Sequence, residues 1–263
     1  MKVICSGTFN FIHLGHVFFL KTARNLGDSL TIILTHDKNN LKKNALNIQK
    51  RIQNLKNLKI KAEIVEGEKD NYQKLLNKIN PDLICLGYDQ TLPPQLQNFV
   101  EKKQIKIKQL PKLKNYKKAK NKILGRIFSA KGRGAFFLKK PGYQKRLKKL
   151  LKKEIFPGTL NVSLCKQNIS ELLKNKEKLS VVSFEQYGKI YGGLKIYKVK
   201  LLIYKDLLKP DSRFIIKQKT NLKAWLVSAE KSSHQPNIVE IIHPKNLRKT
   251  HNLKDDQLVE IVF

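Results

Sequence analysis

The pattern of apolar runs changes once along this chain, near residue 122. Before that point, short apolar runs of strand length alternate with amphipathic stretches long enough to form helices. This alternation predicts a parallel sheet covered by helices on both faces. Because ligands of such sheets bind beyond the carboxyl ends of the strands, we expect a site formed by residues 7–16 and 87–90. The predicted strands are Lys2–Ser6, Leu30–Leu34, Ala62–Val65, Asp82–Leu86 and Ile105–Leu110.

Four helices are predicted between these strands. The first is expected to stop at Gly27, because glycine readily takes the left-handed conformation that follows many helices. The four helices cover about His16–Leu26, Gln49–Leu58, Asn71–Ile79 and Pro93–Gln104.

The second half of the chain has a different character. Many short β-like runs with Gly and Pro between them predict a small β-barrel, interrupted by one basic helix at about Gln144–Lys153. A Lys- and Asn-rich stretch at 111–122 precedes the barrel and is typical of a linker. We therefore predict two domains, residues 1–121 and 122–263. The β-like runs are Ile123–Phe128, Ala135–Leu138, Asn161–Leu164, Leu194–Leu202, Lys223–Val227, Ile238–Ile242 and Leu258–Phe263.

The formal net charge of +34 has two explanations. One is attraction to polyanions such as nucleic acid, acidic membranes or phosphorylated substrates. The other is a lysine-biased surface, which we favour because only seven of the 54 basic residues are Arg and the lysines are spread along the chain. Arg is the better residue for bidentate recognition of phosphates and bases, so nucleic acid is expected to bind only by weak electrostatic attraction.

Other classes of protein are excluded by the composition. No apolar run approaches the roughly 18–20 residues of a membrane span, and the first residues predict a strand and loop instead of a signal peptide. The cysteines Cys5, Cys85 and Cys165 lie far apart, which excludes a disulfide framework and a cysteine-rich zinc site. A cytoplasmic protein is expected, of an oligomeric state that the sequence does not decide.

The first candidate site is the segment Gly7-Thr8-Phe9-Asn10-Phe11-Ile12-His13-Leu14-Gly15-His16, here called the signature segment. Its two glycines permit close backbone approach to phosphates, and the positive end of the following helix points into the same space. Two histidines three residues apart at a helix start can both face one phosphate and stabilise charge on its oxygens. Ordinary N-terminal histidines are the alternative, but the position after the first strand favours nucleotide chemistry.

Two further candidate sites lie in the second half. Thr159 and Asn161 enter a strand two residues apart, so they share a face and offer adjacent oxygen atoms that suit Mg²⁺. A β-turn with a strand cap is the alternative. The glycine-rich segment Lys131–Phe136 lies between two β-like runs and suits backbone cradling of phosphate, although a simple hairpin has the same pattern.

The signature segment resembles the nucleotidylyltransferase superfamily, whose pattern is GTF(D/N)xxHxGH. The resemblance runs from Lys2 to about Ile123, and Gly87-Tyr88-Asp89-Gln90 narrows it to archaeal-type FAD synthase. It implies a Rossmann-like domain in which His13 and His16 assist attack on the α-phosphate of ATP, with FMN as acceptor and pyrophosphate leaving. The residues implied to contact ATP are Thr8, Phe9, His13, Leu14, Gly15, His16, Asp89 and Tyr116. A turn or cap role is the alternative for Asp89.

Residues from about Ile123 to Phe263 resemble the CTP-dependent riboflavin kinase family. The matching segments are Ser129–Phe136, Tyr143, Pro157–Val162, Glu240–Arg248 and Leu253–Asp256, in the order and spacing of that family. The resemblance implies a cradle-loop β-barrel that binds CTP, Mg²⁺ and riboflavin. It assigns CTP to Lys131, Gly132, Arg133, Gly134, Ala135, Phe136, Lys245, Asn246, Leu247 and Arg248. It assigns Mg²⁺ to Thr159 and Asn161, and the flavin to Ser232 and Glu240, with Glu240 also the general base.

Three hypotheses about function follow. The first is a bifunctional enzyme that phosphorylates riboflavin to FMN with CTP and adenylylates FMN to FAD with ATP. The second keeps the kinase but gives the first domain another phosphorylated acceptor, as in sister families. The third is a non-catalytic RNA-binding protein, which the charge favours and the intact HxGH and TLN motifs oppose.

Overall fold

The computed structural model describes residues 1–41, 45–114, 116, 119, 121–130, 132–165, 169–208, 214–230 and 235–263. Two compact units are distinguished by the contacts between their residues. The first unit, called the α/β unit, comprises Met1–Lys118 with Asp206–Ile216, and the second, called the barrel unit, comprises Ala119–Lys205 with Lys217–Phe263. The boundary between residues 121 and 122 that the composition predicts stays a prediction.

The α/β unit contains a five-stranded parallel sheet with the strand order β3-β2-β1-β4-β5. The three inner strands β2, β1 and β4 are mostly apolar and buried, as expected for a sheet with helices on both faces, and the arrangement confirms the predicted doubly wound fold. The strands are β1 (Lys2–Gly7), β2 (Ser29–Leu34), β3 (Glu63–Glu66), β4 (Leu83–Leu86) and β5 (Lys106–Gln109). The helices are α1 (Leu14–Arg24), α2 (Ile48–Lys56), α3 (Tyr72–Ile79) and α4 (Pro94–Lys102).

The expected role of Gly27 is wrong. Helix α1 ends at Arg24, and its C-cap Asn25 is right-handed, with φ of −80°. Gly27 is instead required by a close approach of two chain segments, since a Cβ atom there would lie 2.3 Å from the main-chain oxygen of Met1.

The barrel unit contains a sheet that closes on itself. The strand order is β12-β13-β7-β6-β14-β11-β8, and an additional pairing between β12 and β11 closes the first six strands into a barrel. The predicted barrel is thereby confirmed. The strands are β6 (Lys122–Phe128), β7 (Leu160–Leu164), β8 (Leu179–Val181), β9 (Phe184–Gln186), β10 (Lys189–Tyr191), β11 (Leu194–Leu208), β12 (Phe214–Ala229), β13 (Ile238–Ile242) and β14 (Leu258–Val262). The helices are α5 (Arg133–Leu138), α6 (Pro141–Leu151), α7 (Ser170–Leu173) and α8 (Leu247–His251).

The predicted strand at Ala135–Leu138 is wrong, because these residues form most of helix α5. Gly132 precedes the helix in the left-handed region with φ of +75°, so the glycine-rich segment leads into a helix and not into a hairpin. Leu138 packs on Tyr143 and Leu147 of α6, and this tertiary contact favours the helix. A four-residue apolar run has too little periodicity to distinguish the two structures.

The interior of the barrel is filled by alternate side chains of its strands. Val162, Leu201, Leu226, Ile241 and Ile261 are each at most 1% exposed and belong to one cluster. Among the helices in the described ranges, none is long and apolar enough to cross a membrane.

Candidate active sites

A cleft of about 700 Å³ lies at the carboxyl edge of the parallel sheet, as the alternation of strands and helices predicts. We call it the nucleotide cleft. β1 and β4 run parallel and side by side, so the signature segment and the Gly87–Gln90 loop leave the sheet at the same edge. Seven of the eight residues that the resemblance assigns to ATP line this cleft: Thr8, Phe9, His13, Gly15, His16, Asp89 and Tyr116. The side chain of the eighth, Leu14, is 1% exposed in the core, so Leu14 can offer a ligand only its backbone.

The two histidines stack on each other at the start of α1. Their ring centroids are 3.8 Å apart with an angle of 19° between the planes, and His13 is the N-cap residue of the helix. The ring of Tyr116 lies 6.0 Å from that of His13, on the wall of the same cleft. Two imidazoles and the first backbone N–H groups of a helix together offer several donors to one anionic group.

Phe9 holds an uncommon backbone conformation. Its φ is +47°, in the left-handed region that bulky side chains rarely occupy, and its ring is 3% exposed. The ring lies 5.1 Å from that of His16 in an edge-on arrangement. A Cβ atom at Gly7 would lie 2.8 Å from the Phe9 ring, so this ring position requires glycine at residue 7. Strained residues held in this way are typical of sites that position a ligand.

The loop after β4 is tied to β1 by Gln90. Its side-chain oxygen accepts a hydrogen bond of 2.7 Å from the backbone of Gly87, and its amide nitrogen donates one of 3.2 Å to the carbonyl of Ser6. Asp89 is exposed and lines the cleft, as does Lys112, whose amine lies 5.3 Å from the centroid of the Tyr88 ring. Lys112 adds a cation to the cleft that the sequence reasoning did not single out, because it lies in the presumed linker.

Arg51 is a second residue that the sequence reasoning missed. Its side chain is 0% exposed, and its guanidinium donates hydrogen bonds to the main-chain oxygens of Leu46 at 3.0 Å, Thr8 at 3.1 Å and Thr35 at 2.8 Å. It also contacts a carboxylate oxygen of Asp37 at 2.5 Å. Burial raises the pKa of Asp37, but hydrogen bonds from the backbone of Ile48 and from Arg51 and the charge of Arg51 outweigh this effect and lower it. Arg51 therefore fixes the main chain of Thr8, directly before the left-handed Phe9.

Replacing Arg51 with Met should lower the free energy of unfolding by about 3 kcal/mol, because three main-chain oxygens and Asp37 lose a buried partner. Denaturant unfolding followed by circular dichroism measures this change. Arg24→Met is the matched control, since Arg24 is half-buried and donates to one carbonyl, that of Gly27. If Arg51→Met lowers the free energy of unfolding no more than Arg24→Met does, the proposed role of Arg51 in fixing the main chain of Thr8 is contradicted.

The barrel unit has a separate cavity of about 410 Å³, here called the barrel cavity. Its polar end is lined by Gly134, Thr159 and Glu240. Its other walls are mainly apolar and aromatic, and include Phe136, Tyr143, Ile190, Tyr191, Leu194 and Val227. A flat aromatic molecule with one polar end matches this division of the walls.

Thr159, Asn161 and Glu240 come together at the polar end. The Thr159 hydroxyl donates a hydrogen bond of 3.1 Å to the carboxylate of the half-buried Glu240. Glu240 on β13 is the register partner of Asn161 on β7, so their side chains share one face of the sheet. Asn161 is 8% exposed, and its side-chain oxygen is buried with no hydrogen-bond partner among the described residues. A buried acceptor without a partner is costly and rare in proteins, which indicates a ligand at this position.

Gly134 completes this end of the cavity. A Cβ atom on Gly134 would lie 2.2 Å from the Glu240 carboxylate and 2.8 Å from the Thr159 hydroxyl. Because no side chain fits, glycine keeps the helix start in contact with both groups. The spacing between Gly134 and Glu240 in the sequence gives no sign of this contact.

The residues implied to bind CTP are only partly brought together. Lys245 is exposed, Asn246 accepts a hydrogen bond from the backbone of Lys249 as the N-cap of α8, and Leu247 is 4% exposed in the barrel core. Leu247 can therefore offer a ligand only its backbone. Arg248 lies 2.8 Å from a carboxylate oxygen of Asp255.

Asp255 also accepts a hydrogen bond of 3.1 Å from the Ser129 hydroxyl. Burial raises the pKa of Asp255, but the hydrogen bonds from Arg248 and Ser129 lower it overall. Ser129 directly follows Phe128, the register partner of Asn161. Arg248 is therefore linked through Asp255 to Ser129, which lies one residue beyond β6, the strand that pairs with β7 at Asn161.

Three of the assigned residues cannot be fully placed. Lys131 and Ser232 lie outside the described residues, and for Arg133 only the backbone, at the start of α5, is described. Their assignments stay predictions. The described residues contain no cluster of three His, Cys, Asp or Glu side chains that could hold a metal ion.

Two family models match the chain. One, described as cytidylyltransferase-like, matches residues 4–145. The other is the CTP-dependent riboflavin kinase model, which carries the description "Domain of unknown function DUF120" and matches residues 127–263. The chain belongs to both families. The matches confirm both resemblances, and each covers more than half of the chain.

Proteins similar to this chain carry two kinds of name. A riboflavin kinase of Pyrobaculum aerophilum is 28% identical over 57% of this chain and 63% of that protein. An FAD synthase of Ferroglobus placidus is 41% identical over 34% of this chain and 60% of that protein. An FAD synthase of Pyrococcus abyssi is 33% identical over 48% of this chain and 92% of that protein. The matched regions thus cover less than two thirds of the length of the first two of these relatives.

Proposed function

We propose that this chain makes flavin coenzymes in two steps. In the barrel unit, riboflavin receives the γ-phosphate of CTP to give FMN and CDP. In the α/β unit, FMN receives the AMP part of ATP to give FAD and pyrophosphate. The proposal is carried by one observation: each family match contains its own cavity, lined in part by residues that the corresponding resemblance assigns to the ligands.

In the barrel cavity, the chain supplies a base and a place for the flavin. The apolar walls suit the flat ring system of riboflavin, and Glu240 at the polar end is placed to accept the proton of the 5′-hydroxyl. The hydroxyl oxygen then forms a bond to the γ-phosphorus of CTP while the bond to CDP breaks. The hydrogen bond from Thr159 holds the Glu240 carboxylate in place. Phosphoryl transfer depends mainly on such positioning and on neutralising the phosphate charge.

The polar end also fits Mg²⁺. Thr159 and Asn161 would hold it through their side-chain oxygens, and the buried Asn161 oxygen, which no described residue pairs with, supports this assignment. The ion would neutralise negative charge on the triphosphate.

In the nucleotide cleft, the chain supplies hydrogen-bond donors for phosphate and a rigid backbone. A phosphate oxygen of FMN forms a bond to the α-phosphorus of ATP, and the bond to pyrophosphate breaks. His13 and His16 are placed to donate hydrogen bonds to the α-phosphate oxygens, where negative charge develops. Asp89, Lys112 and Tyr116, which line the same cleft, would fix the nucleotide.

The assignment is tested by product analysis. Purified protein is incubated with Mg²⁺ and with riboflavin or FMN, adding each nucleoside triphosphate in turn, and the flavins are separated by chromatography. Riboflavin with CTP should give FMN, and FMN with ATP should give FAD and pyrophosphate. If FMN and ATP give no FAD, the α/β unit acts on another phosphorylated acceptor. The kinase assignment is tested separately, by the formation of FMN from riboflavin and CTP.

The kinase reaction should prefer CTP over ATP by about 100-fold in kcat/KM. A site that hydrogen-bonds one base leaves buried polar groups unpaired when another base enters, which gives discrimination of this order or more. Initial rates of FMN formation with the two nucleotides measure the ratio. Equal rates with ATP and CTP would contradict the proposal that the barrel unit is a CTP-dependent riboflavin kinase.

A further inference from the structure

The barrel unit has a further cavity, of about 490 Å³, that shares no lining residue with the barrel cavity. We call it the tryptophan cavity, because it contains Trp225, the one tryptophan of the chain. Its other lining residues include Lys153, Lys198, Lys200, Lys223 and His243. The proposed flavin chemistry gives these residues no role.

Trp225 stands on a strand face that also presents lysines. Lys223 and Trp225 are two residues apart on β12, and Lys198 and Lys200 are two residues apart on the neighbouring β11. Residues two apart on a strand point to the same face, so cations on both strands flank the indole. Trp225 is half-buried and the three lysines are exposed, so the ring forms a wall and the amines reach solvent.

The charge of the cavity is positive. Its lining residues within the described ranges include four lysines and neither Asp nor Glu, and none of the four amines pairs with a described carboxylate. The pKa of His243 is lowered, first by burial and further by the charges of His251, Lys245 and Lys153, although a backbone contact with Lys245 raises it. The neutral form of His243 is therefore favoured, mainly because its ring is half-buried.

We propose that the tryptophan cavity binds single-stranded nucleic acid, with one base stacked on Trp225 and the adjacent phosphates on the surrounding lysines. Aromatic platforms inside cationic grooves bind single strands without sequence preference, since every base has a stacking face. Lysine suits this role because a phosphate chain needs point charges and not the bidentate fork of Arg. This surface goes beyond the proposed flavin chemistry and does not depend on it.

The sole tryptophan gives a direct measurement. Titrating the full chain with an eight-nucleotide oligouridine should quench Trp225 fluorescence in a saturable way. With three or four lysines engaged, the slope of log affinity against log salt concentration should be about −2 to −3. UMP alone should bind far more weakly, because it offers one phosphate.

Matched variants separate this cavity from the general lysine excess. Replacing Lys198, Lys200 and Lys223 together with Gln should weaken binding by at least about 10-fold and make the salt slope smaller by about 2. The control changes Lys145, Lys149 and Lys174 to Gln, which are exposed, lie outside the cavity and remove the same charge. The control should change the affinity by less than about 3-fold.

The role of the ring is tested with a 5′-labelled oligomer followed by fluorescence anisotropy. Trp225→Leu should weaken binding by about 10-fold, and Trp225→Phe should retain most of it because a stacking face remains. Equal losses in the two lysine variants, equal affinity for UMP and the oligomer, or unchanged binding by Trp225→Leu would each overturn the proposal.

Discussion

Replacing both His13 and His16 with Asn should lower FAD formation by at least about 10³-fold while FMN formation from riboflavin and CTP continues. The two rings stack at the start of α1 inside the nucleotide cleft, where they face the proposed α-phosphate. Groups that stabilise developing charge on an oxyanion are typically worth about 10²–10³ in rate each. The two effects need not multiply, because the histidines act on the same group.

The measurement is a time course of flavins with riboflavin, CTP and ATP supplied together. The wild type should accumulate FAD, whereas the double variant should accumulate FMN. His36→Asn is the control, because His36 lies outside the cleft and its ring accepts a hydrogen bond from the backbone of Lys38. Near-normal FAD formation by the double variant would contradict the proposed role of the two histidines in stabilising charge on the α-phosphate. Loss of both products would indicate a folding defect, which circular dichroism of the same sample detects.

The α/β unit was largely predictable because its signals are local. Continuous apolar runs such as Leu30–Leu34 form strands buried on both faces, and the structure has the predicted order of strands and helices. The position of the site follows from the parallel sheet, since β1 and β4 must end at one edge. Motif comparison alone, however, assigns whole segments to the ligand. It cannot distinguish the Leu14 side chain, which fills the core, from its neighbours in the cleft.

Long-range contacts were not predictable. Arg51 is one Arg in a polar helix by sequence, and its function depends on carbonyls of Thr8 and Thr35, which only the fold brings to it. The requirement for glycine at residue 134 has the same origin, because it depends on side chains 25 and 106 residues further along the chain. The short helix α5 was mistaken for a strand because its packing on α6 decides its structure. In each of these places tertiary contacts, and not local propensity, determine the outcome.

Changing Thr159 to Val and Asn161 to Leu together should lower FMN formation by at least about 10³-fold, whereas FAD formation from supplied FMN should continue. Both side-chain oxygens proposed for Mg²⁺ are lost, and Glu240 loses the donor that holds its carboxylate. The free energy of unfolding without Mg²⁺ should fall by only about 1 kcal/mol, the typical value of the lost Thr159–Glu240 hydrogen bond. The Asn161 oxygen is buried and has no partner in the part of the chain that the structure describes, and replacing such an atom with an apolar group of similar size is neutral or stabilising.

The matched control also replaces one hydroxyl and one amide side chain of the barrel with apolar residues. Ser163 on β7 and Asn237 also form a hydroxyl–amide pair, with 3.4 Å between the amide nitrogen and the hydroxyl. Ser163→Val with Asn237→Leu should leave FMN formation within about 3-fold of the wild type. Mg²⁺ should raise the midpoint of thermal unfolding in this control and in the wild type but not in the Thr159/Asn161 variant, because only a bound ion stabilises the fold. Two results would show that these oxygens hold no metal: full kinase activity in the Thr159/Asn161 variant, or a rise in its midpoint of thermal unfolding with Mg²⁺ equal to that of the wild type. A stability loss of about 2 kcal/mol or more would instead mean that the Asn161 oxygen has a structural partner, and the argument for an ion at this position would fail.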